Sequence, residues 1–195
     1  MKMSKTAMVA LTYLFFITFV TGLLYPLAVT LAANLFFPAQ SKGSLIVRGN
    51  EVRGSILIGQ EFKSDKFLHG RPSCSSYDTM ASGASNLSVS SAALKAAVDK
   101  RSEEWQKTYG SGSVPEEMLY ASASGLDPEI SPEAALVQVE RISKARGYDE
   151  KQKSQLKEYI REKADAKGFA GLHMPSINVV ELNLMLEENV RHSVD

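Results

Sequence analysis

The side chains of this chain that are best able to do chemistry lie between His69 and Asp78. A base, hydroxyls, a thiol and a carboxylate occur within ten residues, in the order His-Gly-Arg-Pro-Ser-Cys-Ser-Ser-Tyr-Asp. A catalytic serine needs a base beside it and an oxyanion site nearby, and a sequence shows neither. Pro72 and the serines favour a turn-rich loop instead. We therefore expect an ordered loop in which Arg71 hydrogen-bonds to backbone or to a partner, and we keep a catalytic role for His69, Ser73 and Asp78 as the alternative.

The rest of the chain lacks the motifs of the common catalytic and metal sites. It contains no HExxH, CxxC, GxSxG or GxxxxGK[ST] sequence, so the familiar zinc, redox, hydrolase and phosphate-binding patterns are missing. The histidines His69, His173 and His192 are scattered without the spacing of metal ligands. The small residues of segment 121–128 could converge their N–H groups on an anion, although a tight connection is the simpler interpretation. We predict no catalytic residue and no metal site, and we assign no cofactor-binding residue.

The N-terminal part decides where any function takes place. From Thr6 to Ser41 there is no Asp, Glu, Lys or Arg, and about 20 apolar helical residues suffice to cross a bilayer. We predict a short cytoplasmic N-terminus at residues 1–6, a transmembrane helix at 7–37 and an extracytoplasmic domain at 38–195. The rival is a cleaved signal peptide, but its apolar region is usually only about 7–15 residues long.

Positive charge sets the expected orientation of this helix. Lys2 and Lys5 precede it, whereas Lys42, Arg48 and Arg53 follow it and weaken the asymmetry. The first helix usually determines topology, and large domains are translocated largely regardless of their charge. We therefore expect the N-terminus in the cytoplasm of a bacterial inner membrane and the bulk of the chain outside.

The apolar stretch also contains residues that are unusual for a simple anchor. Thr18, Thr21, Gly22 and Pro26 interrupt a sequence rich in Leu, Phe and Val. Small residues allow a second helix to approach closely, although Gly and Pro are also ordinary in membrane helices. One span cannot line a pore, so a role in transport would require other subunits.

The residues after Ser41 have the composition of one globular domain. They include all 22 acidic residues and 20 of the 22 lysines and arginines, so their formal net charge is −2. A nucleic-acid-binding protein would need a basic face, and we expect no nucleic-acid partner. The single cysteine, Cys74, excludes a disulfide within the chain.

Strand patterns come before helical ones, which predicts an α+β fold. Residues 43–48 and 55–58 are rich in β-branched side chains and are expected to form a hairpin around a turn at Gly49-Asn50. Segment 59–87 is rich in Ser and Gly and is expected to be a long ordered loop with short strands.

Capping residues mark the predicted helices. Ser90 or Ser91, Ser131 and Asp149 are favourable N-terminal caps, and glycines follow the expected helix ends. The ends are predicted at Gly110, at Arg146-Gly147 and at Lys167-Gly168, with a short helix from Pro115 through Met118. Residues 178–189 fit either an alternating strand or a helix, and we favour the helix.

Taken in order, these segments resemble the C subunit of the bacterial Kdp complex, a high-affinity potassium-transporting ATPase. Each motif is weak alone, but their order and spacing extend over nearly the whole chain. The motifs are Thr21-Gly-Leu-Leu-Tyr-Pro26, Gly43-Ser-Leu-Ile46, Gly54-Ser-Ile-Leu-Ile-Gly-Gln60, Gly70-Arg-Pro-Ser73, Ala84-Ser-Asn-Leu87, Ala121-Ser-Ala-Ser-Gly-Leu-Asp127, Gln138, Arg146-Gly147 and Asn178-Val-Val-Glu-Leu-Asn-Leu184.

The resemblance implies an accessory, non-pore subunit needed for assembly and stability. Its partners would be a potassium-channel-like A subunit, a P-type ATPase B subunit and a small F subunit where present. It also implies a catalytic chaperone that raises the ATP affinity of the B subunit, so that ATP is met only within the complex. Because ATP is cytoplasmic and most of this chain is expected outside, we favour the topology over that mechanism.

The sequence agrees with a non-catalytic role in the resembled complex. It has no DKTGT phosphorylation motif and no TVGYG filter. It departs from the family at 174–177 and at Cys74, where a small residue is usual. From the family motifs we take Gly22, Pro26, Arg71 and Asn86 as partner-facing candidates. The alternatives are a membrane-tethered exported enzyme and a bitopic sensory protein, although about six residues before the span leave no cytoplasmic output domain.

Overall fold

The computed structural model describes residues 4–165 and 174–191. The chain divides into two compact units, Met1–Leu45 and Ile46–Asp195. Helices and short strands are both present, with a single long apolar helix at the N-terminus. The predicted α+β fold class is confirmed.

The first unit is dominated by a helix from Lys5 to Phe36. It comprises α1 (Lys5–Phe19), a widened π-helical turn (Val20–Leu24) and α2 (Tyr25–Phe36). These 32 residues have a mean hydropathy of 2.1 over their most apolar window, and none of that window is buried. Among the described residues this is the one helix long and apolar enough to cross a membrane. A short 3₁₀ turn, Gln40–Lys42, follows it.

Two small sheets contain all the strands of the described residues. In the first, β1 (Leu45–Arg48) and β2 (Glu51–Ser55) are joined by the turn at Gly49-Asn50. In the second, β3 (Glu129–Ile130) pairs antiparallel with β4 (Ile177–Asn178), with Ile130 opposite Ile177. The two strands of the second sheet were not predicted, because two residues carry too little pattern to be seen in a sequence.

The predicted second strand of the hairpin was placed too far along the chain. A two-residue turn makes pairing resume at once, so β2 begins at Glu51 and residues 56–58 form a turn. The Ser55 hydroxyl stabilises that turn by accepting a hydrogen bond from the Leu57 N–H at 3.1 Å. The predicted short strands in segment 59–87 are also absent, since every residue of that segment is described and none lies in a strand.

Local capping signals placed most helices correctly. Helix α3 (Ala92–Tyr109) begins after Ser91, α4 (Pro132–Arg146) after Ser131 and α5 (Glu150–Asp165) after Asp149. Gly147 ends α4 in the left-handed conformation at φ +69°, and a 3₁₀ turn occupies Glu116–Met118. The final element, α6 (Val179–Arg191), is the favoured helix. The predicted end of α5 at Lys167-Gly168 lies outside the described residues.

The core of the second unit is formed mainly by α4, α5 and α6. Each fully buried Ile, Leu or Val contributes about 1.5–3 kcal/mol of transfer free energy. The larger side chains that form this core, besides three buried alanines, are Leu68, Trp105, Met118, Ile130, Val139, Ile142, Leu156, Ile160, Ile177, Val179, Leu182 and Leu186. Leu68 is the only member of this set from the long loop, and it anchors that loop to the helices.

Candidate functional site

The residues singled out from the sequence converge on two irregular segments, 59–87 and 121–128, which we name the loop platform. Neither segment contains a helix or a strand. Irregular backbone must find hydrogen-bond partners outside regular structure. The partners it finds explain why these Gly- and Ser-rich sequences fold into one defined surface.

Backbone hydrogen bonds join the two segments directly. The Gly59 N–H donates to the Leu126 carbonyl at 2.8 Å, and the Gly83 N–H donates to the Ser124 carbonyl at 2.8 Å. The Ser73 hydroxyl adds a bond to the Gly125 carbonyl at 2.7 Å. The platform therefore behaves as one unit, held at several points along its length.

Gly125 occupies the closest approach between the segments. Its φ is +69°, a left-handed conformation that favours glycine. A Cβ atom at this position would lie 2.6 Å from the Ser75 hydroxyl and 2.9 Å from the Gly83 carbonyl. A glycine is therefore required here by both backbone conformation and space.

An ion pair lies at the centre of the platform. Arg71 Nη1 lies 2.8 Å from Asp127 Oδ2, and the two side chains are 26% and 29% exposed. Asp127 Oδ1 also accepts a hydrogen bond from the Glu129 N–H at 3.0 Å. The Tyr77 hydroxyl donates to the Arg71 carbonyl at 2.5 Å, and burial, with nearby Asp127 and Glu61, raises the pKa of Tyr77 to about 12. The loop is thus ordered, but the Arg71 guanidinium pairs with a carboxylate of the same chain, whereas we expected it to bind backbone or a partner.

Two buried amide side chains hold the neighbouring stretch of the loop. Asn183 on α6 accepts from the Leu68 N–H at 2.7 Å and donates to the Leu68 carbonyl at 2.8 Å. Gln138 on α4 binds His69 in the same way, at 2.8 and 3.0 Å. Each amide supplies one donor and one acceptor, as a neighbouring strand would do. The loop is fixed by side chains where a sheet would use backbone.

Two arginines of α4 complete this attachment. Arg141 donates to the Asp65 carbonyl at 2.7 Å and to the Phe67 carbonyl at 2.9 Å, and its side chain is only 8% exposed. Arg146 donates to the Lys66 carbonyl at 2.6 Å. A guanidinium group offers five N–H donors in a rigid fork, which suits several carbonyls at once. Residues 65–69 therefore each have a backbone group bound by a side chain from α4 or α6.

The catalytic alternative is not supported by the arrangement of its residues. The Ser73 hydroxyl donates to the Gly125 carbonyl and accepts from the Tyr77 N–H at 3.0 Å. His69 Nε2 lies 3.2 Å from the Ser64 carbonyl, and Asp78 accepts from the Met80 N–H. These three side chains are engaged in separate turns, so the structure does not assemble a nucleophile and its base.

An open cleft of about 530 Å³ borders the platform. Its walls combine aromatic and charged side chains, among them His69, Arg71, Tyr77, Trp105, Tyr109 and Arg141. Burial, assisted by the Arg141 charge, lowers the pKa of His69, which favours the neutral imidazole. Among residues 4–165 and 174–191, no cluster of His, Cys, Asp or Glu is arranged to hold a metal ion.

The four partner-facing candidates lie in two different places. Arg71 belongs to the centre of the platform, while Asn86 lies at its exposed end with φ +52°. Gly22 and Pro26 belong to the apolar helix, where both are exposed. Arg71 and Asn86 thus belong to the second unit and Gly22 and Pro26 to the first, and the partner-facing roles of all four remain predictions.

The side chains that hold the platform were largely missed by reasoning from sequence. Gln138 and Arg146 stood in the family motifs without a role, and Asn183 was one letter of a longer motif. Arg141 was not singled out. The available signal was a polar residue at a core-facing position, since Gln138 lies between buried Ala135 and Val139. A polar side chain within an apolar helix face must bind something.

Comparison with known proteins identifies the chain's relatives. A family model described as "K+-transporting ATPase, c chain" matches residues 7–188. A potassium-transporting ATPase KdpC subunit of Rhodopseudomonas palustris is 44% identical over 97% of this chain and 100% of its own length. The corresponding subunit of Cronobacter sakazakii is 44% identical over 91% of this chain and 95% of its own. That of Bradyrhizobium diazoefficiens is 41% identical, over 91% and 94%.

Proposed function

The chain belongs to the KdpC family, the c chains of the K⁺-transporting ATPase, and we propose that it is a non-pore, non-catalytic subunit that holds this complex together. The observation that carries the proposal is the pairing of a wholly unburied apolar helix with a rigid loop platform. An apolar helix without buried residues needs lipid or partner helices around it. A pre-organised surface binds at low entropic cost.

The proposed partners are a potassium-channel-like A subunit, a P-type ATPase B subunit and, where present, a small F subunit. We propose that the helix packs between membrane helices of the complex through Gly22 and Pro26, and that the platform docks on the outer surface near the potassium entrance. The net charge of −2 after Ser41 would favour cations there only slightly, because salt screens it. An effect of this subunit on ATP affinity would then be transmitted through its span.

Co-purification of the full chain in mild detergent tests the main proposal. The wild-type chain is expected to retain the A and B subunits, and deletion of residues 1–37 is expected to abolish both retention and growth on micromolar potassium. A chain that purifies alone would overturn the assembly role. Growth supported by the truncated chain would show that the span is dispensable.

Two exposed apolar side chains allow the docking surface to be tested without disturbing the fold. Met80, on the platform, is 92% exposed, and Val89, two residues beyond the end of segment 59–87, is 96% exposed. We expect Met80→Ser with Val89→Ser to weaken retention of the A subunit while leaving thermal stability unchanged. Met174→Ser is the matched control, because Met174 is 84% exposed and lies outside the platform. Equal retention of the A subunit by the double variant and by Met174→Ser would place the docking surface elsewhere.

The single native cysteine tests the proposed orientation. Cys74 is exposed, and in our proposal it faces the outside of the inner membrane. A membrane-impermeant maleimide should label it in spheroplasts, whereas Cys74→Ser combined with Ser4→Cys should react only after lysis. The reverse labelling pattern would invert the topology.

The exported-enzyme alternative is tested at Ser73. Ser73→Thr keeps the hydroxyl bond to the Gly125 carbonyl, whereas Ser73→Ala removes it. An enzyme would lose all activity in the alanine variant. A subunit that only holds the complex would keep potassium uptake in both variants, with at most a small change in stability.

A further inference from the structure

The apolar helix is interrupted by one widened turn, Val20–Leu24. At this turn the Tyr25 N–H donates to the Val20 carbonyl, five residues earlier. A regular α-helix would direct that N–H to Thr21, four residues earlier. The cause lies in the sequence, because the ring of Pro26 collides with the carbonyl four residues before it unless the turn opens.

The widened turn takes from the Thr21 carbonyl the two backbone donors that a helix would usually offer it, four and five residues further on. Its donor four residues on, the Tyr25 N–H, is used by Val20. Five residues on stands Pro26, which has no N–H. The hydroxyl of Thr21 does not compensate, because it donates to the Ile17 carbonyl at 2.8 Å.

The position of this carbonyl along the helix makes the loss of these donors costly. The helix extends over Lys5–Phe36, and about 20 of its residues fill the hydrocarbon layer. Whichever 20 consecutive residues are chosen, segment 17–24 always lies among them. Lipid tails donate no hydrogen bonds, and Pro in a membrane helix is tolerated where neighbouring groups bind the freed backbone.

Space for such a neighbour exists at the same turn. A Cβ atom built on Gly22 meets nothing within 4 Å, and Gly22 is exposed. A helix face that lacks a side chain allows another helix to come close enough for a side chain to reach the backbone.

We propose that the Thr21 carbonyl accepts a hydrogen bond from a donor side chain on a membrane helix of another subunit of the ATPase, with Gly22 at the point of contact. The donor is of the hydroxyl, amide or indole class. This inference rests on the proposed assembly function and adds to it the atom that binds and the chemistry of the partner. Another subunit is the occupant because the relatives of this chain are subunits of a multi-chain ATPase.

The sequence offers a direct measurement on that one carbonyl. Thr21-Gly22 is the only Thr-Gly pair in the chain, so ¹³C-carbonyl threonine combined with ¹⁵N glycine gives a single coupled signal in solid-state NMR. We expect this carbonyl resonance to move downfield when the subunit in lipid is assembled into the full complex. The same shift in the isolated subunit and the complex would overturn the inference. A downfield shift in the isolated subunit at high protein-to-lipid ratio would assign the contact to a second copy and overturn the choice of partner.

Two substitutions give an independent readout in the full complex. Pro26→Ala restores the missing N–H, so a backbone donor of the same helix can bind the Thr21 carbonyl. We then expect retention of the partner subunits to fall about threefold, which corresponds to the loss of one average interhelical hydrogen bond. Gly22→Leu blocks the approach and should reduce retention further. Val29→Ala, also on the exposed helix, is the control and should leave retention unchanged. Unaltered retention in Pro26→Ala and Gly22→Leu would overturn the inference, whereas a wild-type chain that retains no partner would overturn the proposed function on which it rests.

Discussion

The attachment of the long loop to α6 can be tested at Asn183. This side chain is 1% exposed, and both of its hydrogen bonds go to the backbone of Leu68, which is fully buried. Asn183→Ala removes both partners at once and leaves a buried N–H and a buried carbonyl unpaired.

The expected cost follows from these two groups. A buried polar group that loses its partner costs about 1–3 kcal/mol, so the loss of two partners should lower the free energy of unfolding by roughly 2–6 kcal/mol. A typical domain has only about 5–15 kcal/mol in total. With a urea dependence of about 2 kcal/mol per molar, the middle of the usual range, the unfolding midpoint should shift by about 1–3 M.

The single tryptophan provides the assay. Trp105 is 9% exposed and packs in the same core, so its fluorescence reports urea unfolding of the full chain in detergent. Gln106→Ala, which removes an exposed amide, is the control and should change stability by less than about 0.5 kcal/mol. Equal midpoints for Asn183→Ala and Gln106→Ala would refute the role of Asn183 in holding the loop.

Asn183→Asp tests, through the pH dependence of stability, whether a hydrogen-bond donor is required at this position. A protonated carboxyl group has one donor and one acceptor, like the amide it replaces, whereas the ionised group has no donor. This variant should therefore gain stability relative to wild type as the pH falls through the pKa of the new carboxyl. A difference that is constant with pH would contradict the requirement for a donor at this position.

Three further predictions concern the platform. Gly125→Ala should cost roughly 2–4 kcal/mol, because it combines a left-handed φ with a 2.6 Å contact, whereas Gly112→Ala, with open space around it, should be close to neutral in the same urea titration. The pKa of His69 is lowered by burial and by the Arg141 charge, so the unfolded chain binds a proton at this histidine more readily than the folded chain. The free energy of unfolding should therefore decline as the pH falls below about 6.5, and His69→Gln should show a smaller decline. Asp127→Asn should cost about 1 kcal/mol, since the ion pair with Arg71 is partly exposed. Asp127→Ala should cost more, because it also removes the oxygen that accepts a hydrogen bond from the Glu129 N–H. Equal losses in the two variants would contradict a role for that hydrogen bond.

The helices of the second unit were predictable because their signals are local. Ser131 accepts a hydrogen bond from the Ala134 N–H at 3.1 Å, and Asp149 accepts one from the Gln152 N–H at 2.7 Å. Both bonds are made within one turn of sequence, so the residue type and its position suffice to predict them. The N-terminal helix was predictable for the simpler reason that no other structure suits so long an apolar stretch.

The site was harder to predict because its contacts are distant in sequence. Asn183 and Leu68 are 115 residues apart, and Gln138 and His69 are 69 residues apart. No local pattern records which backbone a buried amide will bind. The widened turn is an intermediate case, since Pro26 predicts a disturbed helix but not which carbonyl loses its donor.

Because the loop is attached through buried side chains, variants at exposed and at buried positions should differ in whether a loss of docking comes with a loss of stability. Met80 on the platform and Val89 just beyond its end are almost fully exposed, so their replacement should reduce docking without reducing stability. Asn183 is buried, yet its replacement releases the backbone that leads into Arg71 and the rest of the platform. We therefore expect it to reduce both docking and stability. A rigid platform therefore predicts that docking falls with stability for the buried variants and independently of it for the exposed ones. If Asn183→Ala lost stability but kept full docking, the platform would bind its partner without needing to be pre-organised.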